Sequence, residues 1–112
     1  AVSDFTVVPS HHKLARQSFS ELKITPTNDI LKTFNSIKSD RCKSIGFCLS
    51  DSEDLISVAS QKRIEKGCDI IVANDIDSFG SPYRSVQIIS KNNTQSLENA
   101  SLIDISAAVL TC

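Results

Sequence analysis

The spacing of apolar positions changes several times along this chain, and each change marks an element. Ile70, Ile71, Val72 and Ala73 form an unbroken apolar run, with Gly67 ahead of it and the polar pair Asn74-Asp75 after it. Such a run predicts a buried parallel strand that delivers polar groups at its carboxyl end. Open α/β sheets bind their ligands at that edge. The segments KSIGFCLS (43–50) and VQIIS (86–90) predict two more short strands, and ELKIT (21–25) alternates like another. The opening AVSDFTVV, residues 1–8, is extended and apolar.

Between the strands the period lengthens to that of helices. Ile30, Leu31, Phe34 and Ile37 share one face, with Thr25 or Thr27 as N-cap and Pro26 near the first turn. Ser50 and Glu53 have capping-box spacing before a second helix. Leu55, Val58, Ala59 and Ile64 supply its inner face, and Gly67 is placed to close it. KNNTQ (91–95) reads as a turn and ASLIDISAAVL (100–110) as a closing helix. Residues 9–20 hold His11, His12, Lys13, Arg16 and Gln17 with little periodicity, which predicts a long mobile loop. Strands alternating with helices predict an α/β layered fold with a mainly parallel sheet.

Composition narrows the function. With 112 residues the chain has room for one domain and a modest core. A net charge of −1 argues against a nucleic-acid binder, which would carry a basic excess. No apolar run reaches the roughly 18 residues of a membrane span, and no signal-peptide pattern opens the chain. Cys42, Cys48, Cys68 and Cys112 lie far apart with no CxxC or Cys-His pairing, so a zinc site or redox pair is not expected. Reduced, structural thiols in a cytoplasmic protein are the expectation.

Candidate chemistry rests on charge. Lys62 and Lys66 in QKRIEK lie one helical turn apart on a shared face. Like charges so placed repel unless something anionic sits between them, although lysines at a helix C-terminus also complement its dipole. A loop with Lys13, His11 and His12 can close over phosphates as a lid; adjacent histidines do not easily chelate one ion from an extended segment. Asp4, after a short strand, can accept from a sugar hydroxyl or a base, or stay solvated. Phe47 is core or a base-stacking platform, and Asn74-Asp75 are ligand groups or turn formers. No glycine-rich phosphate loop is present, which makes a dinucleotide-dependent dehydrogenase fragment a poor reading.

In order along nearly the whole chain, AVSDF, the loop Lys13, TNDIL, the GF at 46–47, QKRIEK and DIIVAND…FGS resemble the phosphopantothenoylcysteine synthetase (phosphopantothenate–cysteine ligase) family. IVAND at its distance after KRxxK is the most specific part. The resemblance implies a three-layer, Rossmann-like α/β fold with a mainly parallel sheet and a small antiparallel extension, of which residues 1–112 are the C-terminal half. It implies a ligase that joins 4′-phosphopantothenate to cysteine in coenzyme A biosynthesis, through an acyl-cytidylate made from CTP, or with ATP in some members, and with Mg²⁺.

Carried over by position, the family's nucleotide contacts fall on Asp4, Lys13, Asn28, Asp29, Ile30, Phe47, Lys62 and Lys66, and its catalytic lid lysine falls on Lys13. Two ammoniums and a helix start can hold a triphosphate without a glycine-rich loop. The lid here reads Lys13-Leu14-Ala15-Arg16 where the family has Lys-Ile-Lys-Lys. GFAAET becomes GFCLSD, and GFGSDxN is reduced to FGSPYRS. Family members carry about a hundred residues before the motif matched here by AVSDF, and this chain opens at Ala1 with no Met. A missing N-terminal half of the domain and a second copy, as a homodimer, are therefore the expected partners, with no nucleic acid and no membrane. The rival reading is a non-catalytic α/β binding or dimerisation module derived from the same fold.

Overall fold

A computed structural model describes residues 3–13, 21–51, 53–76 and 80–112. The chain divides into two compact units, Ala1–Ile30 and Leu31–Cys112. The first contains an antiparallel ribbon of β1 (Phe5–Val7) and β2 (Ile24–Pro26), with Phe5 opposite Pro26 and Val7 opposite Ile24. Backbone pairing continues past both ends: the Thr27 N–H donates to the Asp4 carbonyl at 2.9 Å and the Val8 N–H to the Lys23 carbonyl at 3.0 Å. Phe5, Val7 and Val8 are exposed.

Helix α1 (Ile30–Ile37) opens later than its sequence pattern suggests. Thr25 and Pro26 belong to β2, and the Thr27 hydroxyl donates to the Ser3 carbonyl. Neither threonine caps the helix; Asp29 occupies the position before its first residue. Of the predicted apolar face, Leu31 is half-buried while Ile30, Phe34 and Ile37 are exposed.

The second unit is built on a four-stranded sheet in the order β3 (Ile45–Ser50), β4 (Ile70–Asp75), β5 (Tyr83–Ile89), β6 (Thr94–Ser101). β3 and β4 are parallel, Ile45 opposite Ile70 and Ser50 opposite Asp75, and are joined through helix α2 (Leu55–Lys66). β4–β5 and β5–β6 are antiparallel, so a parallel pair carries an antiparallel extension as long as itself. β6 has no counterpart in the sequence reading. Its pattern TQSLENAS alternates on a mostly polar background, because one side of this edge strand meets water. Helix α3 (Leu102–Leu110) starts two residues later than predicted and carries a capping box between Ser101 and Asp104.

Strand alternation sends side chains to two separate cores. Ile70, Val72, Val86, Ile88 and Ala100 meet Ile105 and Val109 of α3 on one face. On the other, Cys48, Ile71, Ala73 and Ile89 meet Ala59, Leu55 and Val58 of α2. The unit is therefore a three-layer α/β arrangement with the sheet in the middle, and β4, apolar on both faces, is its axis.

The ends of α2 are set by two residues. The Asp54 carboxylate accepts from the Ser57 N–H at 3.2 Å, replacing the expected Ser50–Glu53 box. Gly67 closes the helix in the left-handed region, φ 67°, where a Cβ would be strained. Ile64, expected on the inner face, is 70% exposed, because the inward stripe runs through Leu55, Ala59 and Arg63 at successive four-residue steps. A Cβ on Gly46 would stand 3.0 Å from the Cys68 sulfur, so a larger residue there requires that side chain to give way. All four cysteines are free thiols, with Cys48 and Cys68 buried.

Ile88, 1% exposed and packed on the α3 face, and the exposed Ile64 give opposite expectations. Ile88→Ala should cost about 2–5 kcal/mol by leaving a cavity, and Ile64→Ala no more than about 0.5 kcal/mol. Urea unfolding of both variants checks the burial assignment; equal losses would refute it.

Candidate functional site

A helix that links two parallel strands runs against them. α2 leaves the carboxyl end of β3 and its closing Gly67 lies just before Ile70, so its last turns sit at the amino ends of β3 and β4. The Arg63 Nη1–H donates to the Cys68 carbonyl at 3.2 Å and anchors this end. Lys62 and Lys66 therefore stand one turn apart on the helix tail, away from the Asn74-Asp75 edge first expected to gather the ligand groups. Lys62 is exposed and Lys66 half-buried.

Helix α1 shares the α2 face of the sheet. Its Asn35 Nδ2–H donates to the Lys66 carbonyl at 2.8 Å, and a Cβ on Gly46, which points to the same side, would meet Leu31 at 3.6 Å. Phe47 points the other way. Ile45 packs on the α3 cluster and Cys48 on the α2 cluster, which puts Phe47 on the α3 face. There it is 77% exposed on the edge strand. Within this unit the structure brings the lysine pair together with α1, and does not bring Phe47 to them.

In the first unit, the hydrogen bond from Thr27 to the Asp4 carbonyl places Asp4 beside the segment that leads to Asn28 and Asp29. Asp4, Asn28 and Ile30 are exposed and Asp29 half-buried. Lys13 is exposed, beyond β1, and the remainder of the expected lid, residues 14–20, lies outside the described residues, as does Phe79. His11 and His12 are exposed, and the His12 N–H donates to the Ser10 hydroxyl at 3.2 Å.

The strongest polar cluster was not visible in the sequence. Asp69 Oδ2 accepts from the Lys38 ammonium at 2.8 Å, the Ser44 N–H at 2.8 Å and the Ser44 hydroxyl at 3.1 Å. Lys43 lies 3.6 Å from Oδ1, and Lys38 donates further to the Cys42 carbonyl at 2.8 Å. The Lys38 hydrogen bond, the Ser44 backbone and hydroxyl donors and the Lys38 charge together hold the Asp69 carboxyl far below the usual carboxylate range, against a smaller opposing effect of burial. The same hydrogen bond raises Lys38. An aspartate directly before a strand reads as a turn former, and nothing in the spacing marks Ser44, 25 residues earlier, as its partner.

Among the described residues no group of three or more His, Cys, Asp or Glu is arranged to hold a metal ion, and no helix is long and apolar enough to cross a membrane.

A three-layer, Rossmann-like α/β unit with a cationic helix tail is the class these features define. The family model for the DNA/pantothenate metabolism flavoprotein C-terminal domain matches residues 1–112, and the chain belongs to that family. It is similar to the coenzyme A biosynthesis bifunctional protein CoaBC of Borreliella burgdorferi, 30% identical across 98% of this chain and 29% of that protein. The CoaBC of Bacillus subtilis is 32% identical across 98% of this chain and 28% of its own. The chain thus spans under a third of the length of these relatives. Among solved structures, the DNA/pantothenate metabolism flavoprotein from Streptococcus pneumoniae superposes with a TM-score of 0.76, 23% identity, over 99% of this chain and 58% of that one. A Cab2 mutant in complex with phosphopantothenate-cysteine does so with a TM-score of 0.73 and 17% identity, over 99% and 41%. At these identities the superpositions establish the shared fold.

The Asp69 clamp has a defined pH signature. Its carboxyl titrates lower when folded, so its contribution is complete above the unfolded value of about 4 and is lost as pH falls through the folded value. Lys38, raised on folding, contributes fully below its unfolded value of about 10.4 and loses its share only as pH climbs through the raised one. Asp69→Asn should cost about 1–3 kcal/mol near neutral pH and flatten the loss of stability in acid. Urea midpoints from about pH 7 down to about pH 3 test this; identical acid slopes in both proteins would refute it.

Proposed function

We propose that this chain supplies nucleotide-binding residues to a phosphopantothenate–cysteine ligase that uses CTP. The observation that carries the reading is the hydrogen bond from Asn35 to the Lys66 carbonyl. It sets α1 against the tail of α2, and Asn35 is five residues past Ile30, so the first turn of α1 lies about 7.5 Å along the helix axis from that contact. A helix start offers unpaired N–H groups and a partial positive charge, and Lys62 and Lys66 add two ammoniums. Together these suit a polyphosphate, and they do so without a glycine-rich turn. Family membership and the names of the CoaBC relatives support coenzyme A biosynthesis as the setting, and the Cab2 structure holds the product that such a ligase makes.

In this reading Lys62 and Lys66 grip the phosphates, and Asn28, Asp29 and Ile30 supply further nucleotide contacts. Asp4 accepts from the sugar or base. Lys13 swings in with substrate and stabilises charge developing at the α-phosphate. The carboxylate of 4′-phosphopantothenate attacks that phosphorus, pyrophosphate leaves, and the amine of cysteine then displaces CMP from the acyl-cytidylate. Phe47 faces the other side of the sheet, so this unit alone does not bring it to a nucleotide gripped by Lys62 and Lys66. Mg²⁺ offsets part of the triphosphate charge. A cytoplasmic homodimer that also contains the N-terminal half of the domain completes the proposal, and ATP is the competing nucleotide.

Calorimetric titration with CTP and then ATP, with and without Mg²⁺, tests the site directly. Lys62→Glu and Lys66→Glu should each weaken CTP binding by at least about tenfold, since a charge-assisted contact becomes a repulsion. Retained circular dichroism would show that the fold survives. Unchanged CTP affinity in both variants would overturn the assignment.

A further inference from the structure

The last turn of a helix leaves backbone carbonyls without intrahelical donors, and α2 satisfies three of them in two ways. The turn at Gly67 serves the first two: the Cys68 N–H donates to the Arg63 carbonyl at 3.0 Å and the Gly67 N–H to the Ile64 carbonyl at 3.1 Å. The third, on Lys66, is reached from another helix by the Asn35 amide at 2.8 Å. The fit is close, since a Cβ on Gly67 would stand 3.4 Å from the Asn35 Cβ.

Stability alone does not account for an asparagine at this junction. Asn35 Nδ2 also lies 3.6 Å from the Cys68 sulfur, so both amide hydrogens have acceptors. A flipped amide would set its oxygen against the Lys66 carbonyl, which fixes the orientation. Oδ1 is then left buried with no hydrogen-bond partner among the described residues. Leaving such an oxygen unpaired costs at least as much as one ordinary hydrogen bond contributes. A leucine, similar in shape, would leave no orphan on this side chain. What the amide does change is the charge at the end of α2. The Lys66 carbonyl is the last of the helix's negative end, and the Lys66 side chain carries one of the two candidate phosphate ammoniums.

We propose that Asn35 is a positioning residue for a polyphosphate: by covering the Lys66 carbonyl it weakens the negative end of α2 and lets Lys62 and Lys66 act on the ligand at full strength. The role rests on the nucleotide reading above and adds to it a residue that acts through Lys66 rather than on the ligand. Because the covered field repels in proportion to ligand charge, Asn35 matters more for CTP than for CMP.

Asn35→Leu tests this with two readouts that a packing role would move together. Its urea midpoint should equal or exceed that of the parent chain. Its CTP affinity by calorimetry should fall about fivefold and its CMP affinity less than about twofold. Asn35→Asp, the same shape with the donor replaced by an acceptor, should lower the CTP-to-CMP affinity ratio at least as far, and it serves if leucine does not fit. An unchanged CTP-to-CMP ratio in both variants, or a loss of affinity that tracks a lowered urea midpoint in Asn35→Leu, overturns the inference. If Lys62→Glu weakens CTP while both Asn35 variants bind it normally, the nucleotide reading stands and the role of Asn35 falls. If Lys62→Glu and Lys66→Glu leave CTP binding unchanged, both fall.

Discussion

A parallel strand pair cannot be closed by a tight turn, so something else must bring its two starts level. Here that task falls to Asp69. Its carboxylate takes both donors of Ser44, its own N–H donates back to the Ser44 hydroxyl at 3.3 Å, and the Ile70 N–H donates to the Ser44 carbonyl at 3.2 Å. These bonds place Ile45 opposite Ile70, and each later pair up to Ser50 and Asp75 follows. Lys38 extends the same clamp to the segment that leaves α1. Among the described residues Ser44 is the buried polar one, and its burial is tolerable because its N–H, hydroxyl and carbonyl all have partners.

Once register is fixed, the sheet becomes a wall, and alternation decides which side each functional group can reach. Even-numbered residues of β3 face α1 and α2, where the lysine tail stands; Phe47 and Leu49 face α3. The direction of the crossover then puts the cations of α2 at the amino edge, while Asn74 and Asp75 mark the carboxyl edge. The two edges thus differ in charge as a consequence of topology. A cavity below the sheet belongs to the cationic edge, and Arg63, one residue from Lys62, reaches it because a helix tail presents neighbouring residues to different sides.

Elements whose stability is local were legible in the sequence. The buried run Ile70–Ala73 needed no partner to be recognised, and Gly67 announced the end of α2 through a backbone conformation that few other residues adopt. What depends on a distant partner was not legible. β6 is polar enough to pass for loop, and becomes a strand only because β5 offers it a ladder from Ile89–Thr94 to Tyr83–Ser101. The start of α2 had two candidate caps, Ser50 and Asp54; Ser50 is held in β3 by its pairing with Asp75, which leaves the cap to Asp54. The lysine pair was visible in the sequence as two like charges one turn apart, but its position relative to Phe47 required the parity of β3, which a list of motifs does not contain.

In the proposed reading, that position also decides how the two helices would share a polyanion. The tail of α2 carries the partial negative charge of a helix C-terminus, which by itself repels phosphate. Its lysines would have to outweigh that field to attract an anion, so the proposed grip would be electrostatic, long-ranged and sensitive to salt. The start of α1 works oppositely, through short and directional backbone donors. Asn35 joins the two by spending its amide on the Lys66 carbonyl, which occupies one of the acceptors responsible for the unfavourable field. The amide thus both positions α1 and quiets the end of α2 on which the cations sit. A single hydrogen bond between two helices can in this way turn a helix terminus that disfavours anions into part of a surface that accepts them.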